Sequence, residues 1–316
     1  MEHNSESLNT GAYDDEIDLR ELFNVIWEGR MLIVAGVVIS ALISVSVALY
    51  LPNKYTSETL LAPRSAGAGG ALGQLAGQFG GLASLAGINL GEGGQNSTAI
   101  AIETLKSREF FGTYLYDQVV VDLMASDGWD RSSNTVSIDD DIYDAQSQTW
   151  VRDAGESGVA TPSVQEAHKN FAENALAVSE DKQTGFVTVA VTHFSPHVAK
   201  KWVELVVAGV NEAVRARDVA EAEKSIAFLN EQRTRTSLVS LTEVFAELIE
   251  EQTKTVMLAN VTDEYVFQVI EPPVTPELKS EPQRALICVL GVLLGGMLAL
   301  VMVLIRHYAN QDDPKS

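Results

Sequence analysis

Five histidines, one cysteine and a run of aspartates are the residues whose types could carry acid–base, metal or nucleophilic chemistry. The histidines are His3, His168, His193, His197 and His307. His193 and His197 lie four apart, but Pro196 and the end of an apolar β-branched run fall between them. They therefore do not share a helix face as paired metal ligands would, and structural or surface roles are expected. Asp139, Asp140 and Asp141 could attract a divalent cation, yet a run of carboxylates is ordinarily a solvated loop. The single cysteine, Cys288, sits in an apolar stretch, which excludes an intrachain disulfide and a cysteine-based metal site. No G-x-x-x-x-G-K-[ST], H-E-x-x-H or G-x-S-x-G pattern occurs. Gly67, Gly69, Gly70 and Gly73 lack the dinucleotide spacing, and Asn96-Ser97-Thr98 is too short a match to mean glycosylation. The expectation is a non-enzyme without cofactor or metal.

The elements that hold such a chain in place are more informative. Met31–Leu51 and Ala285–Ile305 contain no charged residue and hold 21 residues each. As helices they would be about 31 Å long, the thickness of a bilayer's hydrocarbon core. The first could instead be a cleaved signal peptide, with Ser46-Val47-Ala48 as its small residues. Its apolar core is longer than such peptides use, however, and an acidic segment precedes it. Arg30 abuts the first span and Arg306 and His307 follow the second, placing both termini in the cytoplasm and the middle outside.

The formal net charge is −21, and 33 acidic against 18 basic residues fall between the two tails. This disfavours nucleic acid and anionic lipid surfaces as partners. Ahead of the first span, Asp18-Leu19-Arg20-Glu21 reads as a capping box, with Leu19, Leu22, Phe23 and Ile26 at helical spacing and Trp27 at headgroup level. This is either a short amphipathic helix or the start of the membrane helix. Tyr55–Leu61 favours a strand. Gly67–Gly94 holds 11 glycines and reads as a flexible loop. Leu72, Leu75, Phe79, Leu82, Leu85 and Ile88 nevertheless form a helical stripe across it, open to a neighbouring subunit or the membrane face. Ser97 can cap a helix running to about Met124. Asp127–Pro162 is expected as loop, Ser163–Leu176 as helix, and Phe186–Val191 as a buried strand.

Pro196 opens a further helix. Val210–Glu271 has neither glycine nor proline, and two apolar stripes run through it: Ala222, Ile226, Leu229, then Leu238, Leu241, Phe245, Leu248. The polar Asn230–Ser237 separates them. Either the helix turns back there, or the helix after Pro196 is a separate element of the base. Ile226, Leu229, Leu241, Phe245 and Leu248 are the candidates for packing against other subunits. Val266–Ile270 reads as a strand, and Pro272, Pro273, Pro276 and Pro282 then make a stiff extended strap into the second span. Gly291, Gly295 and Gly296 give that span a thin face for another membrane helix or a polymerase, or they are glycines that membrane helices simply tolerate.

The strap and these glycines resemble the chain-length determinant (Wzz) family of polysaccharide co-polymerases. So do the Asp18–Trp27 segment, the Tyr55 strand, Ser107-Arg108-Glu109-Phe110, Ser195-Pro196 with Ala199 and Trp202, and Ala222–Leu229. The resemblance implies an α+β membrane protein with two transmembrane helices flanking a periplasmic α/β base that carries a long helical extension. The divisions are then a cytoplasmic tail (1–30), the first transmembrane helix (31–51), a periplasmic domain (52–284), the second helix (285–305) and a cytoplasmic tail (306–316). Within the domain, 52–217 and 263–271 form the base, about 218–262 the extension and 272–284 the strap. It further implies a ring-like homo-oligomer, an octamer by analogy, in the bacterial inner membrane. A Wzy-type O-antigen polymerase and lipid-linked polysaccharide would be its partners, with no cofactor and no catalytic residues. The glycine-rich stretch and the short interval between the helical stripes are more like exopolysaccharide-associated members. The alternative is therefore an adaptor for a separate tyrosine kinase, since Arg306–Ser316 holds no kinase domain and a lone Tyr308.

Overall fold

The computed structural model describes residues 25–64, 93–155, 158–236 and 238–311. Most of the Asp18–Trp27 segment and nearly all of Gly67–Gly94 lie outside the described residues, and with them the expected amphipathic helix and the Leu72–Ile88 stripe. The chain divides into two compact units, one formed by 1–51 with 282–316 and the other by 52–281.

The first unit pairs two helices, α1 (Arg30–Tyr50) and, at the other end of the chain, Arg284–Gln311. Both are long and apolar enough to cross a membrane, with mean hydropathies of 2.7 and 2.8 over the spans Arg30–Tyr50 and Arg284–His307. Most of their apolar side chains face outward, as helices surrounded by lipid require.

The second unit is built on β1 (Tyr55–Pro63), whose inward side chains Ser57, Thr59 and Leu61 are buried at alternate positions. Next come α2 (Gly93–Leu105), α3 (Arg108–Phe110), a π-helical turn (Phe111–Leu115) and α4 (Tyr116–Ala125). The expected single helix is thus interrupted: α2 starts four residues before Ser97. The chain then breaks at Lys106–Ser107, where Ser107 Oγ accepts the Phe110 N–H at 3.2 Å.

The stretch expected as loop contains two antiparallel hairpins, β2 (Ser126–Asp130) with β3 (Thr135–Ile138), and β4 (Tyr143–Asp144) with β5 (Thr149–Trp150). Their turns share one design. Asp130 collects hydrogen bonds from Ser132 and Ser133 while Asn134 takes φ 54°; Asp144 collects them from Gln146 and Ser147 while Gln148 takes φ 54°. These self-contained Asx turns explain why a polar, unpatterned sequence still pairs.

α5 (Val164–Asn170) is capped by Ser163 and continues through a π turn (Phe171–Ala175) into β6 (Leu176–Glu180) and β7 (Val187–His193). α6 (Pro196–Arg235) follows as one 40-residue helix, capped by Ser195, with α7 (Val239–Val261) packed against it and β8 (Phe267–Glu271) after that. The polar stretch is therefore the turning point: α6 ends at Arg235 and α7 begins at Val239. The helix at the extreme C-terminal side, α8, is the Arg284–Gln311 membrane helix.

β6, β7, β1 and β8 form one antiparallel sheet in that order. α6 covers it with Trp202, Val203, Val206, Val210 and Val214, a three-and-four spacing that keeps one stripe on Val187, Val189, Val191 and Leu61. Burial along α6 is dense from Pro196 to Val214; beyond that only Ala222 is fully covered. Trp202 is 1 % exposed, and replacing such a ring by alanine costs about 3–5 kcal/mol.

Candidate functional site

The glycines of the second membrane helix meet the chain's own first helix. A Cβ added at Gly291 would overlap the Ser44 side chain, and one at Gly295 the Ser40 side chain. The pattern continues at Gly36, which faces Ala299, while Gly296 lies against Val37. Small residues at every fourth position of both helices, Gly36-Ser40-Ser44 and Gly291-Gly295-Ala299, let the two backbones approach as an antiparallel pair. Both hydroxyls bond within α1, Ser40 Oγ to Val37 O at 2.9 Å and Ser44 Oγ to Ser40 O at 2.8 Å, so neither leaves a donor unmet. Where the sequence leaves open a neighbouring helix or a polymerase against Gly291 and Gly295, the structure places Ser44 and Ser40 of the same chain. The matching stripe in the first span was the signal that could have revealed this.

The strap lies along the start of β1. Ser57 Oγ donates to Val274 O at 2.8 Å, and Thr59 Oγ1 donates to Glu271 O at 2.6 Å. Farther along, Lys54 N–H donates to Glu281 O at 3.0 Å, Ser280 N–H to Lys54 O at 2.9 Å, and Thr56 Oγ1 to Ser280 Oγ at 2.7 Å. Pro272 is exposed and Pro273, Pro276 and Pro282 half-buried. Prolines cannot donate to a sheet, so the hydroxyls of β1 supply the bonds that a regular fifth strand would have made. The folded unit thus begins and ends at one place, Lys54 beside Ser280 and Glu281.

The candidate packing residues on the helical hairpin divide. Ile226, Leu229 and Phe245 are half-buried, whereas Leu241 and Leu248 are exposed. Val244 and Leu258 join them on α7, and Phe228 is exposed on α6. Residues 241, 244 and 248 share one helix face, which leaves an apolar strip uncovered within a single chain.

His193 is buried, with its ring 4.8 Å from that of Trp202. Its Nδ1 accepts the Ser195 N–H at 3.0 Å, so Nε2 carries the proton and faces Asp122 O and Ser126 Oγ at 3.3 Å. Desolvation pushes its pKa down to about 4, with Lys54 adding a smaller push in the same direction. It is a neutral joint between β7, α4 and α6. His197 is exposed and lies at the edge of Trp129. Among the described residues no cluster of histidine, cysteine, aspartate and glutamate could hold a metal.

The model of the Wzz chain length determinant protein matches residues 15–118, covering the first membrane helix, β1 and the start of the helical layer. Over this first third the chain is similar to Wzz chain length determinant proteins. A second model, described as "G-rich domain on putative tyrosine kinase", matches residues 235–308, from the end of α6 through the strap into the second membrane helix.

Among solved structures, the chain is similar to a full-length bacterial polysaccharide co-polymerase, at 14 % identity over 94 % of this chain and 100 % of that one, with a TM-score of 0.39. It is also similar to a fragment of WzzB, a polysaccharide co-polymerase from Salmonella Typhimurium, at 13 % identity over 72 % of this chain and 100 % of the fragment, with a TM-score of 0.31. No curated protein matches the sequence.

Proposed function

We propose that this chain is a Wzz-type, non-enzymatic scaffold of the bacterial inner membrane that sets the length of O-antigen made by a Wzy-type polymerase. Both termini would be cytoplasmic and residues 52–284 periplasmic. The observation that carries the reading is the chain-length determinant match over residues 15–118. The exposed strip of Leu241, Val244 and Leu248 supports self-association, because apolar area on a helix gains free energy when a second copy covers it. A ring of subunits would then hold many weak contacts to polymerase or lipid-linked polysaccharide at high effective concentration.

A second reading has its own support in the match at 235–308, the domain found with tyrosine kinases. On that reading the polymer is an exopolysaccharide or capsule, and the chain is the membrane adaptor of a separate tyrosine kinase. Deleting the gene and separating surface lipopolysaccharide by gel, alongside sizing of secreted polysaccharide, tests both. A changed lipopolysaccharide ladder supports O-antigen control. A change confined to secreted polymer, together with altered tyrosine phosphorylation, supports the adaptor. If neither polymer changes in length, both readings fail.

A further inference from the structure

A cavity of about 470 Å³ opens on the folded unit where three distant stretches meet: the β2–β3 hairpin, the first residues of α6 and the strap. Its lining includes Trp129, Arg131, Asn134, His197, Pro276 and Glu277. The volume falls in the range of small-molecule sites. We propose that this cavity is a saccharide-binding subsite, with the Trp129 ring as the apolar platform and Arg131, Asn134, His197 and Glu277 as the polar rim. The proposal rests on the chain-length reading, to which it adds a place where polymer is held.

The indole is fixed before any ligand arrives. Its Nε1 donates to Asn134 Oδ1 at 3.0 Å, across a turn already tied by Asp130 to Ser132 and Ser133. Tyr55 meets it edge-on, with centroids 5.5 Å apart and planes at 78°, and the His197 ring lies 6.4 Å away. Trp129 nonetheless remains half-buried rather than buried. Orientation set in advance lowers the ordering cost of binding.

The second hairpin shows what an occupied arrangement looks like. It has the same Asp–Ser turn, but its Tyr143 ring packs on Trp150 at 5.0 Å. Trp129 pairs across the strands with Val136 instead, and its ring borders the cavity.

The chemistry of the rim fits a sugar. A pyranose offers a face of C–H groups and a fringe of hydroxyls that both donate and accept. The indole supplies a flat apolar surface. Arg131 can only donate, the Glu277 carboxylate can only accept, and Asn134 and His197 can do both. Arg131 and Glu277 have no hydrogen-bond or ion-pair partner among the described residues, and they are of opposite sign. A phosphate site would present an excess of cationic groups; here Arg131 is balanced by Glu277.

The test uses the full chain in phosphatidylcholine nanodiscs and oligosaccharides of one to three repeat units. These are released by mild acid from the producing strain's own polysaccharide. Saturation-transfer NMR and tryptophan fluorescence read binding to the wild type and to Arg131→Ala, Glu277→Ala, Trp129→Leu, Trp129→Phe and Tyr143→Leu. Arg131→Ala and Glu277→Ala should each weaken binding about fivefold or more, as loss of one useful hydrogen bond does. Trp129→Leu should abolish it, Trp129→Phe should retain part of it in an intact hairpin, and Tyr143→Leu should leave it unchanged. Equal binding by wild type and rim variants overturns the proposal. So does inorganic phosphate competing as well as sugar, or a Trp129 response to phosphatidylglycerol in the disc without one to sugar. Gene deletion separates the two levels. Altered polymer length with no sugar binding sinks the subsite alone, whereas sugar binding with unaltered length sinks the chain-length reading alone.

Discussion

Asn211 and Phe267 exchange two hydrogen bonds. The Asn211 amide donates to Phe267 O at 3.2 Å, and its Oδ1 accepts the Phe267 N–H at 2.9 Å and the Val266 N–H at 2.8 Å. A polar side chain in the middle of the buried stripe of α6 thus receives the strand that returns from the helical hairpin. Asn211→Ala would leave two buried N–H donors unmet, each costing about 1–3 kcal/mol. The expected result is a loss of roughly 2–4 kcal/mol in denaturant unfolding of the detergent-solubilised chain. Asn211→Asp keeps the acceptor and should recover part of it.

Acid should loosen the base through His193. Its folded pKa, about 4, lies below the value of about 6.5 expected for an unfolded histidine. The unfolded chain therefore binds more protons between these values. The stability that His193 contributes is complete above pH 6.5 and is lost as pH falls towards 4, by up to about 3 kcal/mol. Asp122 acts in the opposite sense: burial raises its pKa, so the folded state gains relative stability as that carboxyl protonates. Melting curves between pH 7 and 4 should show a decline that His193→Gln flattens. An unchanged slope in that variant would assign the acid sensitivity to other groups.

The membrane pair can be checked by crosslinking. In a Cys288→Ser background, Ser40→Cys with Gly295→Cys should form an intramolecular bridge in isolated membranes. Pairing Ile39 with Gly295 in the same way should not, because Ile39 is exposed on α1. Gly295→Leu should separate the helices and lower the amount of protein in the membrane, since a Cβ there already collides with Ser40.

Arg152 clamps the loop after β5 to α5. Its Nε donates to Ala160 O at 2.6 Å, and its guanidinium pairs with Glu166. The guanidinium holds the Glu166 carboxyl below the usual range, so the clamp persists into mild acid and weakens only as Glu166 protonates. Glu166 is partly exposed, so Arg152→Ala should cost only about 0.5–1 kcal/mol of global stability. Proteolysis within 151–162 should nevertheless accelerate several-fold, read by limited digestion.

Self-association through α7 predicts that Val244→Arg with Leu248→Arg lowers the oligomer mass in mild detergent while the melting temperature of the single chain is preserved. Val244 is 49 % and Leu248 38 % exposed within one chain, so the substitution removes only part of their internal packing. An unchanged oligomer would move the interface elsewhere.

Two apolar spans, an acidic middle and a proline strap were legible in the chain itself, because hydropathy, charge and proline geometry act locally. β7 was legible for a similarly local reason: its β-branched run marks a buried strand. The hairpins at Ser126–Trp150 were not, since Asx turns organise polar sequence without any hydrophobic pattern. Nor was the break at Ser107, where a serine cap restarts the helix. Which surface Gly291 and Gly295 serve was decided by the pairing of two segments some 250 residues apart, and tertiary packing likewise set the bonds from Asn211 to Phe267 and the meeting of Trp129 with His197 and Glu277. Such contacts depend on register and on which helix faces which, and a linear pattern carries neither.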